Sequence, residues 1–530
     1  MKAYNKILLA AGFAGLLASC TDLDTNVESQ WTEYPDSEIA LEAKLSGVYF
    51  HLRGTLGRRY MEAQALSSDE YVGISFSGDY YDSGTYAHMS LHNFSADDAS
   101  IDWYEDVTNG IAKANRVIEE VGEGKASASP RAIRALYHFI LMDCWGDTPI
   151  LNKVLEDNED VARSPRAEVA LWIADELEAI IPQLTSTVND NNYGKPTRYM
   201  AEALLAKLYI NWGVYTAATP GAYDASTYQN PKLSRVIELC DDIINSGNYD
   251  LGKTGSYLAK FYPNNGPQIK DFIYVMPYDA VSQEGFQYGR PRAWRKANTG
   301  TSYYGKPLSK SCGGNFSITP EMSDLLLSLS KDDRQGHVLN GKVMMYDGTT
   351  YQKTNTPWTY KDAEVVLSKT ITLTEQDERL DVGNDVNGYC QGYKSVKWFI
   401  DDADFSHNRN QSNDLPIFRL ADIMLIKAEA LVRSNQTGAQ GLFNAIRTYA
   451  NAPTISAEPS LKDILDERGR ELFDENWRRN DMIRFGTFES EYGFHKKGFP
   501  TARFDKECRI FPLPTSVLNK NTNWKQNPGY

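Results

Sequence analysis

Three segments of the chain place aromatic side chains beside polar ones, a combination suited to contacts with sugars. They are residues 71–94, 286–304 and 346–360, and Asn occurs in each of them. The carbon–hydrogen faces of sugar rings stack on aromatic planes, while sugar hydroxyls need polar partners. We therefore predict ligand contacts at seven aromatic residues of these segments: Tyr80, Tyr81, Tyr86, Trp294, Tyr303, Tyr304 and Trp358. The alternative interpretation is that these rings attach long loops to the rest of the protein.

A second stretch with chemical potential, residues 461–486, is almost entirely charged apart from one apolar stripe. Leu461 and Leu465 belong to that stripe, whose helical spacing predicts a helix with one buried face. Opposite charges lie four residues apart, as in Glu475 and Arg479, which supports the same helix. We interpret the arginines as braces that join neighbouring helices through bidentate pairs. A catalytic role of the carboxylates is the alternative.

The N-terminus has the pattern of a lipoprotein export signal. Residues 1–19 contain two lysines followed by an apolar segment, residues 7–17, that is too short to span a bilayer. The sequence LASC, which ends at Cys20, fits a lipobox and predicts cleavage before Cys20 and acylation of its sulfur. Several acyl chains make a stable membrane anchor. The acidic residues 20–36 then predict a flexible tether.

Composition excludes some binding partners and leaves one metal candidate. The net charge of −15 argues against nucleic acids, which select a basic protein surface. The cysteines after Cys20 are scattered and odd in number, so they predict neither a disulfide framework nor a zinc site. Residues 381–387 are rich in Asp and Asn and are a candidate calcium site, although they lack the order of an EF-hand. We expect no other cofactor.

The sequence carries none of the common enzyme motifs. It has no G-x-S-x-G elbow, no phosphate-binding loop, no dinucleotide-binding glycine pattern and no catalytic-cysteine context. We therefore predict a protein that is not an enzyme. A secreted glycoside hydrolase stays as an alternative, because its two carboxylates are recognised only by their separation in space.

Helical periodicity places these residues on a larger scaffold. Successive amphipathic helices over residues 37–247 and 416–530 predict a mainly α fold, a tetratricopeptide-like scaffold of helical hairpins. Residues 248–415 are rich in Gly, Pro, Asn and Tyr and predict a long loop-rich insertion. We expect residues 37–530 to be a single structural unit. Loops on a rigid scaffold commonly carry binding residues.

Several motifs, taken in their order along the chain, resemble those of the SusD/RagB family. A G-D-x-P turn lies at residues 146–149, and G-K-x-T with its following helix lies at residues 194–209. R-L-A-D and A-E-A lie within residues 419–430, and E-R-x-x-E-L-x-x-E-x-x-R-x-x-D-x-x-R-x-G spans residues 467–486. The chain ends in Q-N-P-G-Y. Each motif is weak alone, whereas the ordered set is highly specific.

The resemblance implies a nutrient-binding lipoprotein on the outer surface of a Bacteroidota-type outer membrane. Such a protein captures oligosaccharides or polysaccharides and delivers them to a SusC-like TonB-dependent transporter. The RagB branch implies the alternative of a peptide or glycopeptide ligand. Ligand contacts in the family come from loops after the first helix and from the mid-chain insertion, which match the first two aromatic segments.

Overall fold

The computed structural model describes residues 38–76, 78, 81–156, 159–252, 256–281, 285–288, 316–347, 350 and 352–530. The chain divides into two compact units, Met1–Ser46 and Gly47–Tyr530. The described residues of the first unit are helical. Among the described residues, no helix has both the length and the apolar character needed to cross a bilayer. The domain boundaries drawn from the sequence stay predictions.

The first half of the chain is a series of α-helices. They are α1 Glu38–Tyr49, α2 Arg53–Thr55, α3 Met61–Leu66, α4 Thr85–Leu91, α5 Tyr104–Val121, α6 Ala128–Trp145, α7 Arg166–Ile180, α8 Arg198–Ile210, α9 Trp212–Thr216 and α10 Leu233–Ile244. Thr197 begins α8, because its side-chain oxygen accepts a hydrogen bond from the Met200 N–H at 3.3 Å and satisfies a free donor of the first turn. Gly146, in the left-handed region at φ 77°, ends α6.

The remaining helices include four longer ones near the C-terminus. In chain order they are α11 Pro320–Leu326, α12 Val386–Tyr389, α13 Asp402–Phe405, α14 Leu420–Arg433, α15 Ala439–Tyr449, α16 Leu461–Glu471, α17 Arg478–Phe485 and α18 Thr515–Lys520. Successive helices pack in pairs, α5 on α6, α6 on α7, α7 on α8 and α8 on α10. Helix α14 then packs on α10, so the scaffold continues across the insertion. The predicted mainly α, tetratricopeptide-like scaffold is confirmed.

The described strands are short and lie mostly in the insertion. They are β1 Tyr71–Gly73, β2 Phe272–Met276, β3 Phe316–Ile318, β4 Val338–Leu339, β5 Gly341–Lys342, β6 Met344–Tyr346, β7 Lys353–Pro357, β8 Thr359–Tyr360, β9 Ala363–Glu364, β10 Val366–Leu367, β11 Lys394–Ser395 and β12 Leu415–Arg419. They form antiparallel pairs, β1 with β3, β2 with β12, β4 with β11, β5 with β10, β6 with β7 and β8 with β9. The β2–β12 pair joins the two ends of the insertion next to the scaffold.

The charged stretch of residues 461–486 forms two helices, so the prediction of one continuous helix is wrong. Helices α16 and α17 are separated by a turn in which Asp474 and Asn476 have φ values of 69° and 76°. This left-handed backbone cannot continue a right-handed helix. The break also changes the partners: Glu475 pairs with Lys397 at 2.5 Å rather than with Arg479.

Arg419, the last residue of β12, is the centre of a buried charge cluster. Its guanidinium donates to Asp271 Oδ2 at 2.6 Å, to Glu471 Oε1 at 2.9 Å and to both carboxylate oxygens of Glu475 at 2.6 and 2.8 Å. Lys260 supplies a second cation to Asp271 at 2.6 Å. The side chain of Arg419 is 1% exposed, so these charges have lost nearly all their water and depend on one another.

A second buried charge cluster joins α14, α16 and α17. Arg468 pairs with Asp422 at 2.8 Å and with Asp481 at 2.7 Å. Arg484 pairs with Asp481 at 2.8 Å and with Glu429 at 2.9 Å. The bracing interpretation of the charged stretch is thus what the structure shows, since its arginines connect helices through buried ion pairs.

The lowered pKa values of the carboxylates show that these clusters depend on pairing. Burial alone would raise the pKa of Asp271, yet Lys260 and Arg419 outweigh it and hold that pKa at about 2. Burial likewise opposes ionisation of Asp422 and Glu429, and their cationic partners still lower the pKa of each. The clusters therefore favour only the fold in which every partner is in place.

Replacing Arg419 by Gln should destabilise the protein strongly, because three buried carboxylates lose a shared cation. Breaking a buried pair by removing one partner costs about 3–5 kcal/mol. Lys342→Gln is the control, since Lys342 and its partner Glu364 are about half exposed and such pairs contribute roughly 0–1 kcal/mol. Melting temperatures from scanning calorimetry test this, and equal shifts in the two variants would contradict the bracing role.

Asp271 should make the protein sensitive to acid. Its carboxylate stays ionised in the folded protein down to a pKa of about 2, whereas an unfolded Asp protonates near about 3.9. Its stabilising effect is therefore complete above about pH 4 and is lost as the pH falls towards about 2. We expect the melting temperatures of the wild-type protein and Asp271→Asn to differ by a constant amount from pH 6 to about pH 4 and to converge between about pH 4 and about pH 2. A difference that does not change with pH would refute this.

Candidate functional site

The structure describes three of the seven predicted ligand residues. The others, together with the predicted lipidation site, lie outside the described residues: Tyr80, Trp294, Tyr303, Tyr304 and Cys20. Ligand contact and acylation at those positions stay predictions.

Tyr86 and Trp358 are core residues. Tyr86 is 6% exposed, and its ring meets Phe316 edge-on at a centroid distance of 5.6 Å. Trp358 is 1% exposed and packs in the apolar cluster of the insertion, 5.8 Å from the ring of Tyr389. Both rings attach loops to the protein, as the alternative interpretation expects. The prediction of ligand contact at these two residues is not supported by the structure.

Tyr81 is a partly exposed aromatic residue with a fixed hydroxyl. That hydroxyl donates to Glu378 Oε1 at 3.3 Å. Burial and the Glu378 carboxylate both raise the pKa of Tyr81, so the phenol stays protonated and keeps this bond. Asp82 and Ser83 beside it are exposed, and Asp377 is partly exposed. A ring next to several carboxylates offers a stacking face and acceptors for hydroxyl groups.

Asp381 joins the two loops that form the Tyr81 surface, the described parts of residues 74–85 and residues 374–381. Its carboxylate accepts hydrogen bonds from the Gly78 N–H at 2.6 Å and the Ser75 hydroxyl at 3.0 Å. The backbone of Ser75 also bonds to both neighbours of Asp381, each at 3.0 Å. The loops therefore hold one arrangement although they are far apart in sequence.

The turn after Tyr81 has a strained backbone. Asp82, Ser83 and Gly84 have successive φ values of 44°, 57° and 88°, in the left-handed region that only glycine adopts freely. Gly84 is also required by space, because a Cβ there would lie 2.3 Å from His88 Nε2. Strain of this kind persists where the surroundings enforce it, and it is concentrated at ligand sites.

His88 supports the turn from below through a bond to Asp98. Its Nδ1 lies 2.8 Å from Asp98 Oδ1, and this hydrogen bond raises the pKa of His88. The side chain of Asp98 is only 4% exposed, and its other oxygen accepts a hydrogen bond from the Ser95 N–H at 2.7 Å, which fixes the carboxylate beside His88. The pair therefore favours a protonated imidazole beside the turn of residues 82–84.

The described residues contain no group of three or more His, Cys, Asp or Glu side chains arranged to hold a metal ion. Within the candidate calcium segment, Asp381 joins the two loops. Asp385 caps α12 by accepting a hydrogen bond from the Gly388 N–H at 2.8 Å. Both carboxylates thus have structural roles. Calcium binding stays a prediction.

Glu378, the acceptor that fixes the Tyr81 hydroxyl, is not among the predicted site residues. The two residues are 297 positions apart, and no local pattern connects them. The tripeptide at residues 82–84, Asp-Ser-Gly, did carry a usable signal, since these residue types favour turns and tolerate left-handed backbone.

Two family models match the chain. The SusD family model matches residues 270–530, and a model described as starch-binding associating with outer membrane matches residues 23–210. Together they include α1 to α8, the C-terminal helices and the described strands, and they leave out residues 211–269. The chain belongs to the SusD/RagB family. The family assignment predicted from the ordered motifs is confirmed.

Relatives of known name match this chain along most of their length. The starch-binding protein SusD of Bacteroides thetaiotaomicron is 23% identical over 472 residues, which cover 81% of this chain and 76% of that protein. The solved structure of a laminarin binding SusD-like protein is 21% identical with a TM-score of 0.67, covering 93% of this chain and all of that one, 100%. Surface glycan-binding protein A from Bacteroides uniformis is 16% identical with a TM-score of 0.70, covering 93% and 99%.

Proposed function

We propose that this SusD-like protein is a cell-surface lipoprotein that captures oligosaccharides or polysaccharides and delivers them to a SusC-like TonB-dependent transporter. The observation that carries the proposal is the Tyr81 surface, a partly exposed ring on two clamped loops beside several carboxylates. Relatives named for binding starch, laminarin and surface glycans support a carbohydrate ligand.

The chemistry of capture follows from the geometry of that surface. A pyranose ring stacks on Tyr81, and its hydroxyls donate to Glu378, Asp377 and Asp82. A single aromatic contact of this kind is worth about 0.5–1.5 kcal/mol, so one sugar is held weakly. A long polymer gains affinity by contacting several rings of the protein at once. Weak contacts also let the ligand leave for the transporter.

Attachment to the membrane completes the proposed role. Acylated Cys20 holds the protein on the outer membrane, exposed to the medium, and residues 20–36 act as the tether. This arrangement keeps the captured glycan beside the transporter. The description of the family model, starch-binding associating with outer membrane, supports this location.

The protein acts by binding, without turnover of the glycan. Its named relatives are binding proteins. A peptide ligand, as in a RagB-like protein, and a glycoside hydrolase are the competing functions. Gel retardation by polysaccharides, peptide binding and chromatography of cleavage products separate these two functions from glycan capture.

Replacing Tyr81 by Ala should weaken polysaccharide binding about three- to tenfold, because the stacking ring is lost. Tyr81→Phe keeps the ring and should bind nearly as well as the wild-type protein. Purified protein is run through gels containing starch, laminarin or other plant and host polysaccharides, and retardation measures affinity. Equal retardation of all three proteins would place the site elsewhere. Binding of peptides instead, or cleavage products by chromatography, would overturn the proposed function.

Replacing Cys20 by Ala should release the protein from the membrane, since no thiol is left to acylate. Membrane and soluble fractions of expressing cells are compared by immunoblot, and mass spectrometry of the wild-type N-terminal peptide should show the lipid. Cys312→Ala, which changes a cysteine outside the lipobox, should stay in the membrane fraction. A Cys20→Ala protein that remains membrane-bound would contradict the anchor.

A further inference from the structure

A cavity lies on the helical scaffold and shares no residue with the Tyr81 surface. It forms where the C-terminal ends of α8 and α14 meet the N-terminal ends of α10 and α16, and it encloses about 310 Å³. Ligand pockets in proteins have volumes of about 300–1,000 Å³. Tyr228 and Arg433 line it, together with the exposed amides of Gln229 and Asn435. The cavity is thus large enough for a sugar residue and is lined by polar groups.

Tyr228 presents a rigid aromatic ring in this cavity. One side of the ring lies against Gly213, where a Cβ would come within 2.4 Å of Tyr228 Cε1. Its edge meets the ring of Tyr223 at a centroid distance of 5.7 Å, and its hydroxyl bonds to the side chain of Thr216. A ring fixed in this way loses little entropy when a ligand stacks on it.

Arg433 contributes a fixed guanidinium with unused donors. Its Nε donates to Glu429 Oε1 at 2.7 Å, and its Cζ lies 5.0 Å from the ring centre of Phe485. Its other two nitrogens make no hydrogen bond with any described residue, although the side chain is only 14% exposed. A planar fork with two free donors matches the geometry of a carboxylate.

The surrounding charges favour an anion at this position. Arg433 is the outer end of the second buried charge cluster, because Glu429 also accepts two hydrogen bonds from Arg484, each at 2.9 Å. Among the described residues the cluster joins four cations to three carboxylates: Lys207, Arg433, Arg468 and Arg484 to Asp422, Glu429 and Asp481. Of its cations, Arg433 alone exceeds 1% exposure, and the residues that line the cavity include no Asp or Glu.

We propose that this cavity is a second sugar-binding site, which takes a uronic acid residue of a glycan. Tyr228 stacks on the pyranose ring, and the two free nitrogens of Arg433 receive its carboxylate. The inference rests on the proposed glycan-binding function in that the ligand is a sugar, but it concerns different residues. A second point of attachment on the same glycan would raise the affinity for a polymer without strengthening either contact.

The test compares trigalacturonate with its methyl ester, which keeps the rings and removes the charge. Binding to the purified protein is followed by ligand-detected NMR and calorimetry. We expect the acid to bind at least about tenfold more tightly than the ester, as a charge-assisted bidentate pair predicts. Equal binding of acid and ester, or binding of neither, would overturn the proposal. So would displacement of trigalacturonate by an equal concentration of acetate, which would show a carboxylate site without sugar recognition.

Variants assign the binding to this cavity. Arg433→Gln should lose the preference for the acid, while Glu429 keeps Arg484 as its partner. Gly213→Ala should weaken binding because the new Cβ displaces the Tyr228 ring, whereas Tyr228→Phe should retain it. Melting temperatures confirm that each variant is folded. Unchanged trigalacturonate binding in both Arg433→Gln and Gly213→Ala would refute the site.

Tyr81→Ala separates this inference from the proposed function. We expect that variant to be retarded less by polysaccharide and to keep trigalacturonate binding. Loss of trigalacturonate binding in Tyr81→Ala would mean a single site and would overturn the second one. If trigalacturonate binds through Arg433 but no polysaccharide is retarded by the wild-type protein, the cavity stands and the proposed capture of polymers fails.

Discussion

The buried contact between Arg419 and three carboxylates holds the insertion on the scaffold. Asp271 directly precedes β2 and Arg419 ends β12, so the contact closes the point where the chain leaves the helices and returns to them. Glu471 and Glu475 bring the C-terminal helices to the same point. Apolar residues of similar volume often stabilise such a site as well as ions do. The ions add specificity, because any misplaced element leaves a buried charge without its partner.

The same charged stretch positions both proposed binding surfaces. Asp474, in the turn between α16 and α17, accepts a hydrogen bond from the Tyr71 hydroxyl at 2.9 Å, and Tyr71 begins the strand that leads to the Tyr81 loop. At its other end the stretch supplies Arg484, which shares Glu429 with Arg433. The family motif at residues 467–486 therefore has a structural role, since it positions other segments of the chain. Glu467, Glu471, Glu475 and Asp481 of the motif are held in buried ion pairs, and Asp474 accepts a hydrogen bond from the Tyr71 hydroxyl.

Local patterns predicted the scaffold well, because amphipathic spacing and caps such as Thr197 are encoded within a few residues. They failed at the turn containing Asp474 and Asn476, where tertiary ion pairs prevail over a sequence that could continue a helix. They failed again for Tyr86 and Trp358, since polar neighbours in sequence do not reveal whether a ring is covered by distant segments. No local pattern marks Arg433, because its partner Glu429 is shared with Arg484 of a different helix.

The two surfaces differ in charge, and this difference constrains the glycan that could use both. The described side chains around Tyr81 include three carboxylates, those of Asp82, Asp377 and Glu378, and one cation, Arg379, which pairs with Asp377. The balance is negative, so this surface accepts hydrogen bonds from hydroxyls and disfavours anions. The Arg433 cavity has no acidic lining and an excess of positive charge, in a protein whose net charge is −15. A wholly neutral polymer would use only the first surface, and a polyuronate would be repelled there. A polysaccharide that contains both neutral and acidic residues would satisfy both surfaces on one chain, so the two proposed sites together would select such a mixed glycan.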